Sequence, residues 1–439
     1  MKRFVWAMLA GSIAFGNYAC ANRKAAGTYG FTSHPPLSAS ADPGIMQTGA
    51  DRLEEFMPLL KGKRIAVFAN HTSLVNGQNL VDTLHKRGVS ISVVFGPEHG
   101  FRGTADAGEK VSNYTDKATG IPVVSLYGSK RKPSAEDLKN VDLMVFDIQD
   151  VGTRFYTYIS SLEEYIIAAF ENKKPLLILD RPNPNGFYVD GPVLDTAFRS
   201  FVGMQPVPIV YGMTIGEYAA MLVGEKWLKG NFKYGKPLVS IYNSKDNLAA
   251  FQKVTNPQKI MIMPCAMYGH YMKYELPVKP SPNLPDIQSI YCYPSTCFFE
   301  GTVLSEGRGT DMPFRMFGHP SLPNTLESFT PRSMPGATSP KLKDQLCYGW
   351  KIEGSKEAVL RKTGNRIQLQ WLLEAYKQFP EKDSFFLTNG NFFNKLAGNA
   401  SLQRQLKEGK SETEIRASWE PGLTKFKAIR KKYLLYQDF

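Results

Sequence analysis

The chain has 439 residues, 43% of them hydrophobic, so it is long enough to form two domains and to bury a large core. No stretch reaches the roughly 18 consecutive apolar residues that a bilayer-spanning helix needs. The formal net charge of +13 favours a polyanionic neighbour, which could be nucleic acid, an acidic membrane surface or an anionic cell-wall polymer.

The amino-terminal residues have the pattern of an export signal. "MKR" supplies the charged part, "FVWAMLAGSIAFG" the apolar part and "NYACAN" the small residues. Ala19 and Ala21 fit cleavage after Ala21, whereas Cys20 could instead be the lipidated first residue of a bacterial lipoprotein. We therefore expect residues 1–21 to be a signal peptide or lipoprotein signal, and residues 22–49, rich in Ala, Ser, Gly and Pro, to be a tether.

These features predict an exported protein, either periplasmic or anchored to the membrane through a lipid on Cys20. Because exported proteins rarely meet nucleic acid, we expect no nucleic-acid partner. Cys20 aside, four cysteines remain, and no Cys/His spacing resembles a zinc site. Cys292 and Cys297 could pair, although both lie in strand-like sequence. Buried free thiols are the simpler interpretation, since a chain of this size does not need disulfides.

Residues 50–285 alternate between buried strands and amphipathic helices. The apolar runs are "RIAVFAN", "VSISVVFG", "PVVSLYG", "VDLMVFDIQD" and "PLLILD". Helical segments are predicted around Leu80 to Lys86 and on the face marked by Phe155, Ile159, Leu162, Ile166, Ala169 and Phe170. "VPIVYG" predicts a further strand, followed by a helix that Thr214 and Glu217 open as a capping box. This alternation predicts an α/β fold, with a mostly parallel, Rossmann-like sheet covered on both sides.

Residues 286–439 have weaker periodicity and predict a smaller mixed α+β domain. "STCFFEGTVLSEGRGTD" reads as a strand running into a Gly-rich turn, and "IQLQWLLEAYKQF" as a helix. Near the end, "KFKAIRKKYLLY" follows a helical spacing, and its lysines form a solvated face rather than a nucleic-acid arm. The apolar positions of that spacing are Leu423, Phe426, Ile429, Tyr433 and Tyr436.

Polar residues follow the predicted strands at their carboxyl ends, the edge where open α/β sheets bind ligands. Such residues also cap helices, but several at one edge favour a cleft. They are Asn70, Glu98, Asp147, Asp150, Asp180 and Arg181.

Several chemistries lack their motifs. The sequence has no G-x-S-x-G turn, Walker loop, H-E-x-x-H or EF-hand loop, and "EGRGTD" lacks the third glycine of a dinucleotide loop. We therefore expect no cofactor and no metal. Glu98 stands beside His99, and Glu300 and Glu306 bracket a segment ending in Arg308. Two carboxyl groups across a cleft suit glycoside hydrolysis, whereas structural ion pairs would explain the same residues.

Eight segments of the sequence match the motifs of one known family, in order along the chain. They are "GPEHGFRG", "SLYG", "DIQDVGTRFYTYISSL", "LDRPNPNG", "PVPIVYGMTIGEYA", "PSPNLP", "TCFFEGTVLSEGRGTDMPF" and "FKAIRKKYLLY". With these segments the chain resembles the exo-β-N-acetylmuramidases, glycoside hydrolase family 171, formerly a domain of unknown function, from near Arg64 to the carboxyl terminus. The resemblance implies a Rossmann-like domain, a smaller second domain and an active cleft between them. It also implies release of N-acetylmuramic acid from the non-reducing ends of peptidoglycan fragments such as MurNAc-GlcNAc muropeptides.

The same resemblance implies roles for individual residues. Glu98 matches the family's glutamate and would be the general acid, and Glu300 is our choice for the second catalytic group. Substrate binding would involve His99, Arg102, Asp147, Asp150, Arg154, Tyr156, Glu306 and Arg308. Of these, Arg102, Arg154 and Arg308 would be candidates to bind the lactyl carboxylate of muramic acid. The alternatives are another cell-wall hydrolase, such as a deacetylase or amidase, or a non-catalytic peptidoglycan-binding protein.

Overall fold

The computed structural model describes residues 45–103, 109, 112–233, 235 and 237–439. The predicted signal, Cys20 and most of the predicted tether lie outside these residues. Gln47 pairs with Ala266, and the Gly49 amide donates to the Asp180 carbonyl at 2.7 Å, so residues 47–49 are part of the fold. Within the described residues, no helix has the length and apolar character needed to cross a membrane.

Thirteen strands are present in the described residues. They are β1 (Arg64–Ala69), β2 (Leu74–Val75), β3 (Gln78–Asn79), β4 (Ser90–Gly96), β5 (Tyr114–Thr115), β6 (Pro122–Ser125), β7 (Leu143–Asp147), β8 (Leu176–Leu179), β9 (Leu238–Ile241), β10 (Lys259–Met263), β11 (Met316–His319), β12 (Glu327–Phe329) and β13 (Cys347–Lys351).

Twelve α-helices lie between and after these strands in the same part of the chain. They are α1 (Leu53–Leu60), α2 (Leu80–Lys86), α3 (Ala135–Leu138), α4 (Tyr158–Glu171), α5 (Ile215–Gly224), α6 (Lys245–Lys253), α7 (Ile287–Thr296), α8 (Lys356–Thr363), α9 (Leu369–Gln378), α10 (Phe392–Ala397), α11 (Ser401–Lys407) and α12 (Glu412–Arg430).

The main sheet has the strand order β5-β6-β4-β1-β7-β8-β10-β9, and every neighbouring pair is parallel except β5 with β6. The chain moves outward from β1 through β4 to β6 and then returns to β7 on the other side of β1. This reversal is the topological switch point of a doubly wound sheet, where a crevice forms beyond the carboxyl ends of the strands. The predicted Rossmann-like sheet is confirmed.

Alternation along the strands divides the apolar side chains between two cores. Ala66 and Phe68 of β1 face a core that includes α4 and α5, whereas Ile65 and Val67 face a second core with α1, α2 and α6. The first core continues without interruption into the second domain, where Phe298 belongs to it. The two domains therefore share one hydrophobic core.

The second domain combines the antiparallel sheet β11-β13-β12 with α7 to α12, which confirms a smaller α+β domain. After α12, the chain returns to the first domain. The Tyr436 hydroxyl donates to an Asp180 carboxylate oxygen at 2.5 Å, and the Leu435 amide donates to Glu217 at 2.7 Å. Residues near the end of the sequence thus complete the packing of the first domain.

Three local predictions were wrong. "VPIVYG" forms no strand, since Pro206 and Pro208 lack the amide hydrogens that a sheet ladder needs, and Val210 makes only isolated bridges. "STCFF" forms no strand. Its first two residues end α7, whose start Asp286 caps, and the others lie in the 3₁₀ turn Cys297–Gly301. The helix near the end stops at Arg430.

Two other predictions are confirmed. The Thr214–Glu217 capping box opens α5, with both of its hydrogen bonds present. The four described cysteines are all buried free thiols: Cys265, Cys292, Cys297 and Cys347.

Candidate functional site

A cleft lies beyond the carboxyl ends of β4, β6 and β7, between the sheet domain and the second domain. Its wide part has a volume of about 550 Å³ and is lined by Glu98, Tyr127 and Arg131 on one side and by Glu300, Arg308 and residues 336–340 on the other. A narrower part of about 70 Å³ shares Glu98 and Arg308 and is also lined by Ser281, Leu284 and Phe314. The predicted catalytic carboxylates, Glu98 and Glu300, therefore line the same cleft.

Glu98 is presented by a tight turn that follows β4. His99 has a φ of 69° and Gly100 a φ of 73°, both in the left-handed region, which is unusual for a histidine. Strained backbone of this kind is frequent at functional sites. His99 is itself buried, lines the narrow part of the cleft, and places Nε2 3.4 Å from the Ser281 hydroxyl.

Tyr127, which follows β6, hydrogen-bonds to Glu98. Burial, and then the negative charge of Glu98, raises the pKa of Tyr127 to about 12. The phenol is therefore protonated at neutral pH and can donate to a Glu98 carboxyl oxygen, which fixes the direction of the Glu98 side chain. Tyr127 belongs to the quoted "SLYG" segment, although the sequence gave it no role.

Tyrosine rings form the floor of the narrow part. Tyr156, a predicted site residue, donates from its hydroxyl to the Pro280 carbonyl at 3.0 Å and packs edge-to-face on Tyr158 and Tyr293. The Asn70 amide donates to the Tyr158 hydroxyl at 3.0 Å. Burial raises the pKa of all three tyrosines. The floor is therefore neutral and offers ring edges and hydroxyls, which suit a sugar ring.

The opposite wall is a cluster of alternating charges. Arg308 pairs with Glu300 and, at 3.3 Å, with Glu306, and its guanidinium lies over the Phe314 ring. Glu306 also pairs with Lys341 at 3.0 Å. Burial alone would raise the pKa of Glu306, but Lys341 and Arg308 outweigh it, and the pKa is lowered. Two cations and two carboxylates thus balance each other.

Two predicted binding residues have partners outside the cleft lining. Arg102 pairs with Asp82 and Asp116 at 2.7 to 2.9 Å, and these hydrogen bonds raise its pKa. Asp147 is fully buried and pairs with the buried Arg181. Arg102 thus connects the turn after β4 to α2 and to Asp116, and Asp147 connects the end of β7 to the segment after β8. Neither residue lines either part of the cleft, so their predicted contact with substrate stays a prediction.

Arg154 and Asp150 support the site from beneath. Arg154 has 0% of its surface exposed and donates to the carbonyls of Pro192, Val207 and Leu396 at 2.8 to 2.9 Å. Burial lowers its pKa to about 9. The Arg154 guanidinium therefore joins three segments of backbone and does not line the cleft, so its predicted contact with substrate stays a prediction without support from its position.

Asp150 accepts hydrogen bonds from the Tyr211 hydroxyl and the Gly152 amide and is also buried. It does not line the cleft either, and its predicted contact with substrate likewise stays a prediction.

No group of three or more His, Cys, Asp or Glu side chains suited to a metal ion occurs in the described residues. Many of the residues that sequence reasoning missed are aromatic or basic. Ser281, in "PSPNLP", had a signal in the resemblance, whereas Arg131 lies outside every segment that we compared. The other lining residues that were not predicted as site residues are Phe155, Thr157, Tyr158, Phe201, Val202, Leu284, Tyr293, Phe314, Phe392 and residues 336–340.

Comparison with known proteins identifies the family. The N-terminal family profile described as "Exo-beta-N-acetylmuramidase NamZ, N-terminal" matches residues 65–288, and the C-terminal profile of the same name matches residues 291–436. The chain belongs to the NamZ family. The peptidoglycan beta-N-acetylmuramidase NamZ of Bacillus subtilis (strain 168) is 37% identical over 99% of this chain and 100% of its own length.

Solved structures agree with this assignment to the NamZ family. A DUF1343 family protein from Bacteroides fragilis NCTC 9343 has 41% identity and a TM-score of 0.76, covering 90% of this chain and all of its own. A second DUF1343 protein from the same strain has 25% identity and a TM-score of 0.69, covering 89% and 99%. Both similarities extend across the two domains.

Proposed function

We propose that this NamZ-family chain is an exo-acting β-N-acetylmuramidase. It would hydrolyse the terminal N-acetylmuramic acid from the non-reducing ends of peptidoglycan fragments, in cell-wall turnover and recycling. The name of the Bacillus subtilis relative supports the reaction and the polymer. The observation that carries the proposal is the position of Glu98, which lines both the narrow, tyrosine-lined part of the cleft and the wide part that it shares with Glu300.

The sizes of the two parts of the cleft bear on where the substrate binds. The narrow part, about 70 Å³, has room for only a few water-sized groups, so the terminal sugar would lie in the wide part of about 550 Å³, between Glu98 and Glu300. Action at chain ends is supported by the family profiles, whose description is that of exo-acting enzymes.

The residues divide the chemistry of glycoside cleavage between two walls. Glu98 would donate its proton to the glycosidic oxygen, with Tyr127 holding the carboxyl in place. Glu300, paired with Arg308 on the facing wall, would stabilise the positive charge that develops on the sugar or attack the anomeric carbon. The acetamido carbonyl of the substrate is the other nucleophile available, since N-acetylmuramic acid carries it next to that carbon.

The test is the variant Glu98→Gln assayed on the disaccharide MurNAc-GlcNAc, whose sugar leaving group must be protonated as it departs. Loss of a general acid lowers turnover by about 10²- to 10⁴-fold. Glu54→Gln is the matched control, because Glu54 is 75% exposed, pairs with Arg87 and lies in α1, away from the cleft. Turnover of Glu98→Gln close to that of the control would remove Glu98 from the mechanism.

Product analysis separates the rival functions. A glycosidase creates a new reducing end, whereas an amidase or deacetylase releases a peptide or acetate and leaves the glycan intact. A non-catalytic binding protein retains muropeptides and yields no product at any enzyme concentration. Detection of free N-acetylmuramic acid from MurNAc-GlcNAc would exclude both an amidase or deacetylase and a non-catalytic binding protein.

We also propose export, on the sequence pattern of residues 1–21. Loss of Lys2 and Arg3 with the signal lowers the formal charge from +13 to +11, which still favours anionic cell-wall material. Amino-terminal analysis of the mature protein distinguishes the two routes. A start at Asn22 indicates a cleaved signal peptide, and a lipid-modified Cys20 that disappears in Cys20→Ala indicates an anchored lipoprotein.

A further inference from the structure

We infer that Arg131 binds the lactyl carboxylate of the terminal muramyl sugar and so makes the site select N-acetylmuramic acid over N-acetylglucosamine. This inference rests on the proposed function and adds the residue that determines specificity. The lactyl group on O3 is the only difference between the two sugars. A cationic partner for its carboxylate is therefore the feature that a muramidase needs and a glucosaminidase does not.

The other arginines considered for this role are already engaged. Arg308 is balanced by Glu300 and Glu306. Arg102 is held by two aspartates on the outer side of the Glu98 turn, and Arg154 is buried against backbone carbonyls. A substrate carboxylate that approached any of them would have to displace an existing partner or enter the core.

Lys341, the other cation of the facing wall, is equally occupied. Its ammonium group donates to the carbonyls of Phe299, Thr302 and Leu304 at 2.7 to 2.9 Å, in addition to its ion pair with Glu306. An ammonium group has three N–H donors, so these contacts use its full capacity. The facing wall therefore offers no net positive charge to an incoming anion.

Arg131 differs from these residues. It lines the wide part of the cleft together with Glu98, and its guanidinium lies 3.8 Å above the centre of the Phe201 ring. Among the described residues it forms no ion pair. Stacking occupies the face of the guanidinium and leaves the N–H groups at its edge available for a planar carboxylate. The aromatic ring also fixes the plane of the group before substrate arrives.

The neighbours of Arg131 show that its orientation is specific. Lys130 pairs with Asp137 at 2.6 Å, and Lys132 pairs with Glu171 at 2.6 Å, so both lysines secure the loop to nearby helices. Tyr127 connects Arg131 to the reaction, because its hydroxyl bonds to Glu98 and lies within range of the Arg131 charge. A sugar whose glycosidic oxygen meets Glu98 thus has a cation within the same cleft.

The experiment compares kcat/KM for chromogenic β-N-acetylmuramide and β-N-acetylglucosaminide in the wild type, Arg131→Gln and Arg131→Lys. Loss of a charge-assisted carboxylate contact lowers kcat/KM for the muramide by about 10- to 100-fold and leaves the value for the glucosaminide unchanged. Arg131→Lys, which keeps the charge without the planar fork, falls between. Lys130→Gln is the matched control, since it removes an adjacent positive charge that does not line the cleft. It is expected to keep the wild-type ratio of kcat/KM for the muramide to kcat/KM for the glucosaminide.

A second measurement uses the wild type alone. N-acetylmuramic acid is expected to inhibit about 10- to 100-fold more tightly than its methyl ester, which has no charge. Equal inhibition by acid and ester, or an unchanged muramide-to-glucosaminide ratio in Arg131→Gln, would overturn the inference. A wild type that cleaves neither substrate would instead contradict the proposed function, so the two failures are distinct.

Discussion

The buried carboxyl group of Asp150 should make the stability of the protein depend on pH in a way that one substitution removes. Asp150 is 4% exposed, and one of its oxygens accepts from Tyr211 and from the Gly152 amide at 2.7 Å. The other oxygen has no partner in the described structure. Burial raises the pKa of Asp150 from 3.8 to about 7, although its hydrogen bonds act in the opposite direction.

The sign follows from linkage. The folded protein binds this proton more tightly than the unfolded chain does, so the stabilisation is fully present below about pH 4 and is lost as the pH rises through about 7. A pKa rise of this size corresponds to about 4 kcal/mol at about 1.4 kcal/mol per pKa unit. Asp150→Asn cannot ionise but keeps an acceptor for Tyr211 and Gly152. Between pH 4 and pH 8, the wild type should therefore lose about 4 kcal/mol of unfolding free energy relative to the variant.

Urea denaturation followed by tryptophan fluorescence, at constant ionic strength across this range, measures the difference. Asp142→Asn is the control, because Arg64 lowers the pKa of Asp142 to about 2. Its contribution is lost only as the pH falls below 3.8, outside the range tested. The reasoning would be refuted if the difference in unfolding free energy between the wild type and Asp150→Asn stayed constant from pH 4 to pH 8, or if it changed in the opposite direction.

Three further predictions concern the residues that stabilise the fold around the cleft and the independence of the activity from a metal ion. Arg154→Met should lower the free energy of unfolding by about 3 to 6 kcal/mol, because it leaves three carbonyls without donors. The folded fraction should keep the wild-type KM. A raised KM at unchanged stability would instead indicate that Arg154 contacts substrate. Thr214→Ala should cost about 1 kcal/mol through loss of the α5 cap, measured by urea denaturation, and Thr214→Ser should recover most of it. Dialysis against EDTA should leave muramidase turnover unchanged, and a loss restored by a divalent cation would contradict a metal-free mechanism.

The sequence predicted the main sheet well where strands are buried on both faces. β1, β4, β7 and β8 read as continuous apolar runs because helices cover each face. The prediction missed β9, whose four residues are all only half-buried at the edge of the sheet, and it also missed β10, although four of the five β10 residues are buried. It also missed the antiparallel sheet of the second domain, where β12 has three residues and β11 contains Gly318. Strands of three or four residues are too short to show the alternation of apolar and polar residues by which a strand is recognised in a sequence.

The position of the candidate cleft could be predicted from the sequence, whereas only some of the residues that line it could. Polar residues at the carboxyl ends of parallel strands converge because the topology requires it, and Glu98 followed from that rule. The roles of the arginines did not, because their partners are distant in sequence or belong to the backbone. Arg154, for example, bonds to the Leu396 carbonyl, 242 positions away. Nothing in the local sequence of an arginine shows whether its charge is already balanced across the fold.

The single core shared by the two domains has a consequence for how ligands enter and leave. The Phe155 and Tyr293 rings, one from each domain, meet edge-to-face with centroids 5.3 Å apart directly beside the cleft. A hinge that separated the walls would expose this packed aromatic layer to water, at a cost proportional to the area uncovered. Substrate must therefore diffuse into a slot whose width is set in advance. An inhibitor shaped to the resting enzyme would meet the same geometry as the reacting sugar.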